Sequence, residues 1–218
     1  MKSFQMKQGM ANRRDFIVLA AATCASAAAA AQRSPVILVL GDSMSAEYGL
    51  PRDSGWVQLL RERLAKEKIT AEVVNASVSG DTTPGGRSRL PKLLSEHQPT
   101  LVVIELGGND ALRGLPLKNT QENLAWMARQ ARTAGARVLL VGMQVPPNYG
   151  ADYTRRFAAT FETVATAEKT ALVPFLLAGI ADRPDAAGFF QADRIHPNAK
   201  AQPIMLDNVW KALVPLLR

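Results

Sequence analysis

The feature that most constrains this chain is a recurring couplet: a short aliphatic run that stops at a polar loop, then a stretch with helical periodicity. Val36 to Leu40 is continuously aliphatic and ends in Gly41-Asp42-Ser43, which predicts a strand buried on both faces that delivers the chain into a loop. Glu72 to Asn75, Leu101 to Leu106, Arg137 to Met143 and Ala171 to Phe175 are predicted as four further strands. Between them, Val57, Leu60 and Leu64 share one helical face, as do Phe157, Phe161, Val164 and Ala165. Thr83-Pro84 reads as a cap and first turn, and Asn119 with Glu122 as a capping box ahead of Leu124, Met127, Ala128 and Ala131. Parallel neighbours need a crossover, so this alternation predicts a single three-layer α/β/α domain around a parallel sheet. In such a sheet the ligand sits at the carboxyl ends of the strands, where the polar motifs fall.

Composition narrows the function classes. Apolar residues make up 47% and charged residues 21% of the 218, the balance of a soluble globular protein with one well-buried core. The formal charge of +7 is partly a property of the N-terminus. Lys2, Lys7, Arg13 and Arg14 stand there against Asp15 alone, so residues 1–31 carry three of the positive charges and the remainder is +4. The other basic residues are interleaved with acidic ones, as in Arg61-Glu62-Arg63 and Lys66-Glu67-Lys68, a solvated mixed surface and not a stripe that tracks nucleic-acid phosphates. A basic pair, the apolar Phe16-Ile17-Val18-Leu19, an alanine-rich run and small residues before a polar start predict a secretory signal over 1–31 and a mature domain over 32–218. Its apolar stretch is too short for a comfortable membrane span, so no stable membrane insertion is expected after cleavage. Asn12-Arg13-Arg14-Asp15-Phe16-Ile17 also resembles a twin-arginine export signal. Cys24, the single cysteine, lies inside the leader, which leaves the mature chain without a thiol for disulfide, metal or nucleophile.

Ser43 follows the first strand directly, and its position favours chemistry, although Gly-Asp-Ser is also an ordinary turn and cap composition. Gly80, after the second strand, and Asn109, in Gly107-Gly108-Asn109-Asp110 after the third, are either turn residues or oxyanion donors converging with the Ser43 amide. A serine needs a base at neutral pH, and the chain offers two histidines. His97 falls between a helix and a strand, at the end of the sheet away from the loops. His196 lies in Asp193-Arg194-Ile195-His196-Pro197, where three residues of separation bring the Asp193 carboxylate within reach of Nδ1. An aspartate cap beside an incidental histidine is the plainer reading of that segment.

In their order, Gly41-Asp42-Ser43, Gly80, Gly107-Gly108-Asn109-Asp110 and Asp193-x-x-His196 resemble the signature blocks of the SGNH, or GDSL, hydrolases. From Ile37 to Leu217 the chain is similar to their bacterial periplasmic acyl-CoA thioesterase, lysophospholipase and arylesterase branch, including Val74-Asn75-Ala76-Ser77 and Pro147-Asn148-Tyr149-Gly150. The resemblance implies a flavodoxin-like five-stranded parallel sheet and a small-molecule acyl ester or thioester as substrate. It makes Ser43 the nucleophile, Asp193 and His196 the rest of a triad, and Ser43, Gly80 and Asn109 an oxyanion hole. No metal or organic cofactor is implied. Val145, Pro146 and Tyr149, after the fourth strand, are expected to supply an apolar substrate wall. Met44 and Glu47 depart from the usual pattern, and Glu47 disfavours anionic substrates if its carboxylate points into the cleft. A short-chain or carbohydrate acetyl esterase on the same fold, and a non-catalytic binding protein, are the alternative readings.

Overall fold

Each aliphatic run becomes a strand of one sheet in the computed structural model, which describes Met1 and residues 34–217. The leader expected over 1–31, with its arginine pair and Cys24, lies outside the described residues apart from Met1. The elements in order are β1 (Val36–Gly41), α1 (Trp56–Lys66), β2 (Glu72–Asn75), α2 (Thr83–His97), β3 (Leu101–Glu105), α3 (Gly108–Leu112), α4 (Leu117–Thr133), β4 (Arg137–Val141), α5 (Ala151–Glu168), β5 (Ala171–Val173) and α6 (Gln202–Leu213). All ladders are parallel, in the order β2-β1-β3-β4-β5. The chain winds outward from β1 in one direction to β2 and in the other to β3, so the loops after β1 and β3 part at a switch point. Ser43 stands there.

Helices α1 and α6 pack against each other, while α2, α4 and α5 form a second contiguous layer. Sandwiched between, Ile37–Leu40, Leu101–Ile104 and Val138–Val141 are almost wholly buried. The predicted helical faces point inward: Val57, Leu60 and Leu64 on α1, Leu124, Met127, Ala128 and Ala131 on α4, Phe157, Phe161, Val164 and Ala165 on α5. Phe157 and Phe161 meet edge to face at 5.4 Å, the arrangement that ring quadrupoles favour.

Two helix starts differ from expectation. Pro116, at φ −59°, is the N-cap of α4, and Asn119 already donates its amide to the Pro116 carbonyl inside the first turn. Asn119 and Glu122 are therefore not a capping box. Glu122 instead faces Lys118 one turn earlier, at 3.8 Å. Thr83 is not the cap of α2 but its first helical residue, after Thr82. Its amide donates to Asp110 Oδ2 at 2.8 Å and its hydroxyl pairs with Oδ1 of the same carboxylate, so α2 is capped from a distant loop. The ladders also stop short of the predicted runs at β3, β4 and β5. Leu106 and Met143 remain buried past the last pairing, because apolar character records burial and not hydrogen bonding.

Phe161 connects core to loop: a Cβ on Gly107 would lie 3.2 Å from its ring, and Gly107 holds φ +120°. Phe161→Ala is expected to lower unfolding free energy by about 3–5 kcal/mol, as large buried aromatics do. Urea denaturation checks this; a loss below about 1 kcal/mol would contradict it.

Candidate active site

The turn beyond β1 is shaped by what lies beneath it. Gly41 pairs with Glu105 across the ladder, and a Cβ there would fall 2.8 Å from the Cβ and Oγ of Ser45 and 2.9 Å from Glu105 Oε2. Glycine is a space requirement at this position. The Asp42 carbonyl accepts the amides of Ser45 and Ala46, at 3.2 and 2.9 Å, and Asp42 Oδ1 accepts that of Met44 at 3.0 Å. The backbone thus turns sharply, with Ser43 in the turn.

His196 reaches the same rim on a turn closed by the Phe190–Pro197 bridge. Gln191 donates its amide to the His196 carbonyl at 2.8 Å. Within this turn Asp193 Oδ1 accepts the amides of Ile195 and His196, at 2.9 and 3.0 Å. Its Oδ2 lies 2.6 Å from His196 Nδ1, and Nε2 lies 2.9 Å from Ser43 Oγ. The His196 amide first, then its ring, then the Ile195 amide hold the Asp193 carboxyl down at about 2. Ionised at neutral pH, it fixes the tautomer that carries the proton on Nδ1 and leaves Nε2 facing the serine.

Gly80 adopts φ +78° in the loop after β2, and its carbonyl accepts from Arg113 at 2.8 Å. Asn109, at the start of α3, donates one amide hydrogen to Asp42 Oδ2 at 2.9 Å. Its second hydrogen remains for another acceptor. The backbone amides of Ser43 and Gly80 have no internal acceptor among the described residues.

Sequence reasoning passed over two carboxylates under this rim. Glu105, fully buried at the end of β3, accepts from Ser45 Oγ at 2.8 Å and, more loosely, from the Asp42 amide at 3.4 Å. Its other oxygen has no partner among the described residues. Trp56 Nε1 donates to the same Ser45 hydroxyl at 3.2 Å. Burial first, then the neighbouring Asp42 charge, push the Glu105 carboxyl well above the usual carboxylate range. Burial likewise raises Asp42 to about 6, opposed by the Met44 amide, the Asn109 amide and His196. Two buried carboxylates this close do not both ionise readily, and Glu105, with the poorer donors, is pushed further toward its protonated form than Asp42. The available signal was a carboxylate inside an otherwise aliphatic strand, since full burial of an unpaired charge is costly.

Other candidates fall as follows. Both oxygens of the Glu47 carboxylate are taken up by backbone, accepting the amides of Asp53 and Gly55 at 2.9 and 2.7 Å just before α1. His97 ends α2, opposite the strand carboxyl ends. After β4, Val145 is buried among the core residues, and Pro146 and Tyr149 are exposed, with the Tyr149 ring 6.3 Å from that of Tyr153. Among the described residues no group of three His, Cys, Asp or Glu side chains could hold a metal ion.

A partly exposed seryl hydroxyl–imidazole–carboxylate series beside backbone and side-chain amide donors, at the carboxyl ends of a five-stranded parallel sheet, is an arrangement that suits an α/β/α hydrolase. Residues 39–203 match the model of the GDSL-like Lipase/Acylhydrolase family, and the chain belongs to that family. It is 56% identical to Esterase TesA of Pseudomonas aeruginosa, over 83% of this chain and 89% of that one. Thioesterase 1/protease 1/lysophospholipase L1 of Escherichia coli is 39% identical over 86% and 87%. Among solved structures, the psychrotrophic esterase EstA from Pseudoalteromonas sp., inhibited by monoethylphosphonate, superposes with a TM-score of 0.79 at 38% identity, covering 84% of this chain and 99% of that one.

Glu105→Gln tests the assignment of the buried proton. A carboxyl raised in the folded state costs stability as pH climbs from its unfolded value toward its folded one, and glutamine carries no such cost. The melting temperature of Glu105→Gln relative to the parent should therefore move in the variant's favour from pH 5 to pH 8. A difference that stays constant with pH would mean that Glu105 ionises as an ordinary carboxylate.

Proposed function

We propose that this protein cleaves acyl esters and thioesters by a two-stage acyl transfer to water, with Ser43 as nucleophile and His196 as general base. The Ser43–His196–Asp193 hydrogen-bond series, at 2.9 and 2.6 Å, carries this reading. Ser43 Oγ attacks the acyl carbonyl as its proton passes to Nε2, and the carbonyl π electrons move onto oxygen. The Ser43 and Gly80 amides and the free Asn109 hydrogen receive that oxyanion. Its collapse expels the alcohol or thiol, which takes the proton from His196. Water, deprotonated by the same imidazole, then attacks the acyl-enzyme and releases the carboxylic acid and free Ser43. Asp193 orients the imidazole and stabilises its charged form without taking up the proton.

The substrates that fit this reading are aryl esters, lysophospholipids and acyl thioesters, with Val145, Pro146 and Tyr149 along the acyl chain. The name of the Escherichia coli relative, thioesterase 1/protease 1/lysophospholipase L1, supports the thioester and lysophospholipid leaving groups. Export through the leader over 1–31 places the mature domain, 32–218, in the periplasm or outside the cell. Among the described residues no helix is long and apolar enough to cross a membrane.

Steady-state kinetics on p-nitrophenyl esters from acetate to palmitate test the proposal. Ser43→Ala and His196→Ala should each lose about 10⁴-fold or more in kcat. Asn109→Ala should lose about 10²–10³-fold, the usual effect of deleting one oxyanion donor. Full activity in Ser43→Ala would end the mechanism, and a sharp preference for acetate would favour the short-chain acetyl esterase alternative.

A further inference from the structure

Tyr48 belongs to none of the polar motifs, yet its ring lies against the imidazole. The centroids of Tyr48 and His196 are 4.3 Å apart with the planes tilted by 39°, while 50% of Tyr48 stays exposed. Its backbone is tied to the histidine's own turn. The Tyr48 carbonyl accepts from Gln191 Nε2 at 2.7 Å, and the same amide group donates to the Pro197 carbonyl at 3.1 Å. Gly49, at φ +69°, lets that glutamine in, for a Cβ there would lie 2.0 Å from Gln191 Oε1. On its other side the Tyr48 amide reaches the Ser43 carbonyl at 3.4 Å. The ring is thus held over the imidazole by contacts to both the serine turn and the histidine turn, with half its surface open.

Chemistry determines what that open surface meets. In the acylation stage His196 Nε2 gives its proton to the departing oxygen or sulfur, which requires that atom to lie within hydrogen-bond reach, about 3 Å, of the imidazole. Whatever is attached to the leaving atom therefore emerges on the histidine side of the reacting carbon, beside the ring that lies against that histidine. The acyl chain extends from the carbonyl in another direction. Resting on the Ser43–His196 mechanism, we propose that Tyr48 is a specificity-determining residue whose exposed ring face contacts the leaving group and favours aromatic over saturated alcohols and thiols. Offset or edge-on ring pairs have a modest advantage over plain apolar contact, corresponding to about 3- to 10-fold in rate. The effect belongs to kcat/KM, which contains the step in which the leaving group departs. Two esters with one acyl group share a single acyl-enzyme, so any difference between them arises before deacylation.

The experiment compares phenyl butyrate with cyclohexyl butyrate, by pH-stat, for the parent protein and for Tyr48→Phe, Tyr48→Leu and Tyr48→Ala. Harm to the imidazole would slow the departure of cyclohexanol, which depends more on proton donation, at least as much as that of phenol, so it cannot by itself lower the phenyl-to-cyclohexyl ratio of kcat/KM. Tyr48→Phe should keep the parental ratio, and Tyr48→Leu and Tyr48→Ala should lower it by about 3- to 10-fold. A ratio unchanged in Tyr48→Leu, or both esters falling in parallel in Tyr48→Leu and Tyr48→Ala, would overturn the inference and reduce Tyr48 to a support for His196. Ser43→Ala, assayed on both esters, separates this result from failure of the underlying mechanism: residual full activity there would dismiss the mechanism whatever the ratio does.

Discussion

The 2.9 Å contact between Ser43 Oγ and His196 Nε2 joins residues 153 positions apart in the chain, and the rest of the site has meaning only if that contact holds. Neither residue is placed by its neighbours alone. Ser43 is delivered by a buried central strand to the point where the sheet's winding reverses, and His196 by a closed turn that leads into the last helix. A polar path also runs underneath: Ser45 meets Trp56 Nε1, the Trp56 amide donates to Gln202 Oε1 at 3.0 Å, and Gln202 Nε2 reaches the Asn198 carbonyl at 3.3 Å. Gln191 makes a second link between the two turns. A shift of about 1 Å between serine and imidazole would be costly to proton transfer, and these cross-links oppose it.

Buried acidity supports the same arrangement from below. Glu105 occupies the volume that Gly41 leaves open, receives the Ser45 hydroxyl and stands against Asp42, whose other oxygen aims the Asn109 amide. A charge on both carboxylates would be expensive in a dry site. With Glu105 held toward its protonated form, Asp42 is the better acceptor of the pair, and it orients the Asn109 amide. The serine turn and the Asn109 loop are therefore both tied to this pair of side chains, and Asp110, the next residue along, caps α2.

Much of this was legible in the amino-acid order. Continuous aliphatic runs marked the central strands β1, β3 and β4 because a parallel sheet covered on both faces has no polar side to interrupt them, the edge strands β2 and β5 carried shorter runs, and apolar residues at helical spacing marked the buried faces of α1, α4 and α5. The spacing of Asp193 and His196 sufficed because both lie in one tight turn. Local patterns failed where a distant group supplies the interaction. The α2 cap is Asp110, 27 residues away, and the start of α4 follows from Pro116, so the Asn119–Glu122 spacing misled. Glu105 left a trace as a carboxylate within an aliphatic strand. Tyr48 left none, since only the folded turns bring its ring onto His196, and the direction of Glu47 depended on the backbone amides it meets.

Covalent trapping of the nucleophile tests the central claim most directly. After reaction with a fluorophosphonate, peptide mass mapping should find a single phosphonyl adduct, on the peptide that contains Ser43, with the labelling rate collapsing in His196→Ala. An adduct on any other residue, or parental labelling in Ser43→Ala, would contradict the account.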